Sequence, residues 1–191
     1  MSSTKASPYA SIAELIKERR TVREFKNDPV STELMTELLN IAVWAPNHGN
    51  RQPWRFILFR DGGKRVLADA MLQSYSAEDR QKFGSKKSDY FLQVPAHIIV
   101  VMKQDPRQKI WDEDYAAVCS LIQNYQLAAW ERGLGVIWRT NSYNYDPGFL
   151  EAVGVRAGER IVGLLHIGYP DTIPAAVPRI PAEEKLTVVN E

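Results

Sequence analysis

Apolar positions recur along this chain with two different periods, and the changes of period mark its elements. Ser11-Ile12-Ala13-Glu14 has the spacing of a capping box, and Ile12, Leu15 and Ile16 then share one helical face. That pattern predicts a first helix running to about Arg20. Asn27-Asp28-Pro29-Val30 reads as a turn. Ser31 then caps a second helix with Leu34, Leu38, Leu39, Ile41 and Ala42 as its inward stripe, and Pro46 ends it. Trp54 to Phe59 has the aromatic and aliphatic content of a strand, closed by Asp61-Gly62-Gly63. Residues 64–92 are charged and irregularly amphipathic, which predicts one or two surface helices.

Ala96 to Met102 is a nearly continuous apolar run of strand length, as expected for a central strand covered on both faces. From Asp112 to Arg132 the set Tyr115, Val118, Leu121, Ile122, Tyr125, Ala128 and Ala129 keeps helical spacing, and Gly133 and Gly135 supply a stop. This should be the longest helix, and it should cross the core. Gly135 to Thr140 reads as a third strand, Pro147 to Val153 as a short helix, and Ile161 to Gly168 as a fourth strand. After Tyr169-Pro170 the prolines Pro174, Pro178 and Pro181 exclude a sheet interior and predict a segment extended over a surface. Leu186 to Val189 is a further small strand candidate. Helices that interrupt a sheet of few strands imply a single α+β domain over residues 11–191, with residues 1–10 a loose polar tail.

Composition narrows the function classes. The 191 residues suffice for one well-buried core, and 45% apolar with 25% charged residues is ordinary for a globular protein. A net charge of +1, from 24 basic and 23 acidic residues, argues against a broad nucleic-acid surface. The single cysteine, Cys119, excludes an internal disulfide framework and fits a reducing compartment. No apolar run approaches the roughly 18 residues a membrane span needs, and the start lacks the apolar core of a signal peptide. The expected location is the cytoplasm, with no nucleic-acid or membrane partner.

Candidate chemistry concentrates in two segments. Arg19-Arg20-Thr21-Val22-Arg23 offers forked donors that suit a phosphate. Asn47-His48-Gly49-Asn50-Arg51-Gln52 offers paired amide donors and acceptors of the kind the polar edge of a planar heterocycle requires. A third segment, Trp138-Arg139-Thr140, ends a strand. The arginines also have a plain reading, since basic residues are favoured at helix C-termini. Trp138 alone would be core packing. His97 and His166 sit in apolar strand candidates and read as satisfied core histidines, whereas His48 lies in the polar loop. Cys119 falls beside an apolar stripe and reads as an inert thiol. No Walker loop, complete dinucleotide fingerprint, zinc spacing or nucleophile elbow is present. A chain without its own acid–base set fits an enzyme whose cofactor does the chemistry.

Arg19 to Phe25 resembles the Arg-Arg-Ser-x-Arg-x-Phe box of the nitroreductase family, with Thr21 keeping the hydroxyl. Ala45-Pro46 through Gln52-Pro53-Trp54 resembles its Ala/Ser-Pro-x-x-x-Asn-x-Gln-Pro-Trp box. Val136 to Arg139, Gly163 to Gly168 and Arg179 to Glu184 are similar to its later motifs, so the resemblance covers nearly the whole chain from Ser11. It implies a three-layer α+β fold with a mainly antiparallel central sheet, and a homodimer with an extended C-terminal tail and FMN at the subunit interface. It also implies NAD(P)H as reductant and a small electron acceptor, a nitroaromatic or quinone, served by a ping-pong exchange on the flavin. Arg19, Arg20, Thr21 and Arg23 would line the phosphate, ribityl and pyrimidine side, with Arg23 nearest N1. Asn47, His48, Asn50 and Gln52 would meet the ribityl chain or ring edge, some from the partner. Trp138, Arg139 and Thr140 would flank the ring, and Arg179 would complete the phosphate grip. Asn47-His48 departs from the paired serines of larger family members and points to the compact bacterial subgroup. An FMN-binding protein without turnover, or a flavin-processing enzyme of the same fold, is the alternative.

Overall fold

The computed structural model describes residues 11–190. The expected tail over residues 1–10 lies outside the described residues. The chain runs α1 (Ile12–Glu18), α2 (Thr32–Ala42), β1 (Trp54–Arg60), α3 (Gly63–Gln73), α4 (Ala77–Gln93), β2 (Ala96–Lys103), α5 (Gln108–Glu131), β3 (Gly135–Arg139), α6 (Pro147–Ala152) and β4 (Glu159–Gly168). Short 3₁₀ turns at His48–Asn50, Ser142–Tyr145 and Ala182–Lys185 link or follow them.

β2 is buried along seven consecutive residues because it is flanked by strands on both sides and by helices on both faces. The sheet is antiparallel in the order β1-β2-β4-β3, so the architecture is α+β. Ile98, Val100 and Met102 of β2 face α2 and α5, where they meet Leu38, Leu121, Ile122 and Tyr125. Ile99 and Val101 face the opposite way, onto Leu67, Met71, Phe91 and Phe149 of α3, α4 and α6. Three layers result. Each fully buried aliphatic side chain in them contributes about 1.5–3 kcal/mol relative to exposure. A bulge leaves Val162 unpaired: Val100 pairs Gly163, while Val101 pairs Ile161.

Several sequence expectations need correction. α1 stops at Glu18 because Arg19 is already extended, and it buries none of its residues; Ile12 is 71% exposed. In α2 the stripe holds at Leu38 and Ala42, but Ile41 is 42% exposed beside a Trp44 that is 86% exposed. α3 is no surface helix, since Leu67, Ala68, Ala70 and Met71 are buried. α5 starts four residues early, at Gln108. Leu186 to Val189 forms no strand, and all of residues 171–190 are exposed without regular pairing.

Candidate functional site

The arginine run lies against the outer edge of β3. Thr21 bridges Val136, the Val22 N–H donates to Val136 O at 3.3 Å, and the Lys26 N–H donates to Tyr169 O at 2.9 Å. Val22 and Phe25 turn inward, which leaves Thr21, Arg23 and Glu24 exposed. Gly135 permits this docking. A Cβ there would stand 2.6 Å from Val22 Cβ, closer than two carbons can pack.

The guanidiniums divide their roles. Arg20 Nη1 donates to Lys17 O at 2.7 Å and to Arg19 O at 3.0 Å, closing carbonyls that the end of α1 leaves open. Arg19 is half-buried, and its Nη1 is buried with no hydrogen-bond partner among the described residues. Burial lowers the Arg19 pKa, and the nearby charges of Arg20 and Arg179 lower it further. Arg179, in the exposed tail, is therefore brought beside the pair from the far end of the chain, with its Nη1 on Val177 O at 2.9 Å. Three like charges around an unpartnered donor are the setting that a phosphate's oxygens stabilise. The donor set fits an FMN phosphate.

Beyond them Arg23 and Arg139 flank Tyr90. Burial raises the Tyr90 pKa, and the two arginines, Arg139 foremost, oppose it. Arg23, Tyr90 and Gln93 line a cleft of about 390 Å³. Tyr90 and Gln93 also border the next cavity, of about 550 Å³, with Lys86, Lys87, Arg139 and His166. The two hollows share Tyr90 and Gln93 in their walls, and Arg139 at the end of β3 lines the second. Trp138 points to the other face of the sheet. Its ring lies over Gly163 and its Nε1 donates to Val162 O at 3.1 Å. Thr140 is exposed just past the strand. The sequence reading missed Lys86, Lys87 and Tyr90, having taken their helix for plain surface; the adjacent lysine pair was the available signal.

The amide segment is a strained loop. Gly49, Asn50 and Gln52 have φ of 60°, 51° and 47°, a region rarely occupied by a glutamine. Asn47 Oδ1 accepts the Gln52 N–H at 2.9 Å, and Arg51 holds the buried Asp114 of α5 with Nε and Nη2, both at 2.9 Å. Asn47 Nδ2 donates to Ala45 O, and Gln52 Nε2 to Asn50 Oδ1. His48, Asn50 and Gln52 remain exposed. The loop is not near the arginines. Trp54 is level with Arg160 of β4, and Gly135 with Gly168. Those eight steps span about 26 Å and the three strand spacings roughly 14 Å, so the two segments occupy corners about 30 Å apart.

His97 and His166 are cross-strand partners with Nδ1···Nδ1 at 2.5 Å, and His97 Nε2 lies 2.8 Å from Phe91 O. Both are core histidines, as expected. Burial holds His97 down to about 4 and His166 well below its ordinary value. Cys119 is half-buried, and burial raises its thiol despite Tyr115 and Arg160. Among the described residues no group of three or more His, Cys, Asp or Glu is placed to hold a metal, and no helix is long and apolar enough to cross a membrane.

The sequence model of the nitroreductase family matches residues 16–169. The chain belongs to the nitroreductase family. Membership makes it an oxidoreductase. This family member is 33% identical over 184 residues to YfhC of Bacillus subtilis, which carries the name NAD(P)H nitroreductase; the match covers 94% of each chain. It is 32% identical over 168 residues to the 5,6-dimethylbenzimidazole synthase of Rhodospirillum rubrum, covering 80% of this chain and 78% of that protein. It superposes on the crystal structure of a nitroreductase-like family protein from Bacillus cereus with a TM-score of 0.94 at 49% identity, over 98% of this chain and 100% of that one. A Desulfovibrio desulfuricans structure in complex with FMN shares the fold at 21% identity, with a TM-score of 0.74 over 96% of this chain and 99% of that one.

Proposed function

We propose that the protein is an FMN-dependent NAD(P)H oxidoreductase for nitroaromatics, quinones and related electron-poor molecules, acting as a homodimer with FMN between the subunits. The carrying observation is Arg19 Nη1, buried beside Arg20 and Arg179 and without a partner among the described residues. When bound, FMN would take hydride from NAD(P)H and return electrons to the acceptor in a separate half-reaction. Arg19 and Arg179 hold the phosphate, with Arg20, engaged on the carbonyls at the end of α1, adding its charge beside them, and Thr21 offers a hydroxyl to the ribityl chain. Arg23 and Arg139 set positive charge beside the ring, where negative charge gathers on reduction. Thr140 bounds the ring's position at the end of β3, whereas Trp138, turned to the other face of the sheet with its Nε1 on Val162 O, backs the strand and does not flank the ring.

The second subunit follows from distance. With about 30 Å between its corners, one chain's amide loop cannot reach the flavin its own arginines hold. Asn47, His48, Asn50 and Gln52 therefore act on the flavin held by the other copy. Trp44 and the exposed tail, with Val189 at 80%, are apolar surface for that neighbour to cover. The test is spectroscopic. Purified protein should be yellow, bleach with NADH or NADPH, and recover its colour on adding a nitroaromatic without oxygen. A colourless protein that takes up no FMN would end this reading. The likeness to the synthase favours one second reading, a flavin-processing enzyme. Under it, the colour bleached by reductant would fail to return on aeration, because the flavin itself would be consumed.

A further inference from the structure

The backbone of the amide loop alternates around Arg51, with Asn50 at φ 51°, Arg51 at φ −67° and Gln52 at φ 47°. Two residues with side chains held in the left-handed region carry a cost that other contacts must offset. The Arg51 fork is placed to do so. Its Nε donates to Asp114 Oδ1 and its Nη2 to Asp114 Oδ2, both at 2.9 Å, a paired geometry that sets direction as well as distance. Asp114 is 3% exposed and belongs to α5, so the fork ties the loop to the longest helix of the fold. Arg51 Nη2 also reaches Asp105 Oδ2 at 3.3 Å. That carboxylate is already engaged by Arg107, whose Nε and Nη2 stand 2.9 and 2.8 Å from it.

While Arg51 reaches the buried carboxylate, its two neighbours stay exposed. Gln52 Nε2 donates to Asn50 Oδ1 at 3.3 Å, so the two amides form one polar edge. Asn47 Oδ1 accepts the Gln52 N–H and closes the loop on itself, but a bond within the loop cannot set its direction against α5. We propose, resting on the two-copy site above, that Asp114 is a positioning residue: through Arg51 it holds the amide loop so that Asn50 and Gln52 meet the flavin bound by the other copy. The loop would touch the ring and the ribityl chain, which riboflavin shares with FMN. Loosening it therefore weakens both ligands alike, whereas the arginine cluster matters to the phosphorylated ligand alone.

The test is fluorescence titration of the full-length apoprotein with FMN and with riboflavin. Asp114→Asn should weaken both about tenfold, the loss expected when the competent loop falls to about a tenth of the population. Arg51→Lys keeps the charge but not the fork and should do the same, which guards against an Asp114 variant that fails to fold. Arg19→Ala should weaken FMN and spare riboflavin. Asp105→Asn removes only the longer, shared contact and should change neither by more than about twofold. A loss confined to FMN in Asp114→Asn, unchanged affinity in both clamp variants, or an equal loss in Asp105→Asn would overturn the proposal. Mixed dimers of one Arg19→Ala copy with one Asp114→Asn copy should regain one full-affinity FMN site, because one of the two pockets then has its arginines and its loop intact. Absence of that site would overturn the two-copy reading alone and leave Asp114 positioning the loop of a site within one chain.

Discussion

Arg19 and Arg20 are neighbours in the chain with different surroundings. Arg20 closes the last carbonyls of α1, as a helix-terminal arginine does on any surface. Arg19 presents a buried donor that meets no partner among the described residues. Arg19→Ala should therefore weaken FMN retention by roughly 1.5–3 kcal/mol, the worth of a charge-assisted hydrogen bond, measured by fluorescence titration of the apoprotein. Its effect on midpoint potential should be small, because a phosphate contact stabilises both redox states alike. Arg23, beside Tyr90 and away from that cluster, should behave in the opposite way. Arg23→Gln should lower the potential and slow reduction by NAD(P)H more than it weakens oxidised FMN binding. Potentiometric titration of both variants decides; an unmoved potential in Arg23→Gln would assign the ring charge to Arg139 instead.

Pairing between elements carries two further expectations. Gly135→Ala forces a methyl into Val22, so the arginine segment must lift from β3. The variant should lose about 1–3 kcal/mol of stability and most of its flavin together, read by urea unfolding and absorbance. The histidine pair joining β2 to β4 makes stability depend on pH. An unfolded histidine titrates near 6.5, whereas folded His97 waits until about 4 and His166 lower still. Between those values the unfolded chain binds more protons, so stability is full above about 6.5 and falls as pH drops toward 4. His97 alone accounts for on the order of 3 kcal/mol. Asp105, held low by Arg107, loses its share only below that window, and Glu159, held low by Arg55, begins to lose its share only near the window's lower edge, around its ordinary value of 4.5. Urea midpoints at pH 7 and pH 5 should differ accordingly, and equal midpoints would remove the pair from the account.

At the scale of the molecule, an exposed 171–190 segment and diagonally placed boxes call for a second copy. The dimer should bury above about 2,000 Å² and stay intact at micromolar concentration in sedimentation. Ending the chain at Tyr169 removes both the tail and Arg179, and should give monomer without flavin. Arg179→Ala keeps the tail, and should stay dimeric while holding FMN less tightly. A full-length monomer that retains FMN would refute the composite site.

Periodicity and punctuation determined much of this protein. The apolar run of β2, the long stripe of α5 and the glycine stop at Gly133 are properties of neighbouring residues, and they were legible before any folding. The two polar boxes were legible for the same reason, since each carries its chemistry within a few positions. Contacts between distant segments were not. That Arg179 returns to Arg19, that His97 meets His166, and that Lys86 and Lys87 share a cavity with Arg139 all follow from strand order and register, which local patterns do not encode. Ile41 shows the converse. Its spacing marks it as apolar-face, yet a period says only that a residue seeks cover, and the rest of its own chain leaves it exposed. Local sequence determined which residues could bind and which segments would be helix or strand. The tertiary structure decided which of them stand together, because proximity is set by packing across the sheet.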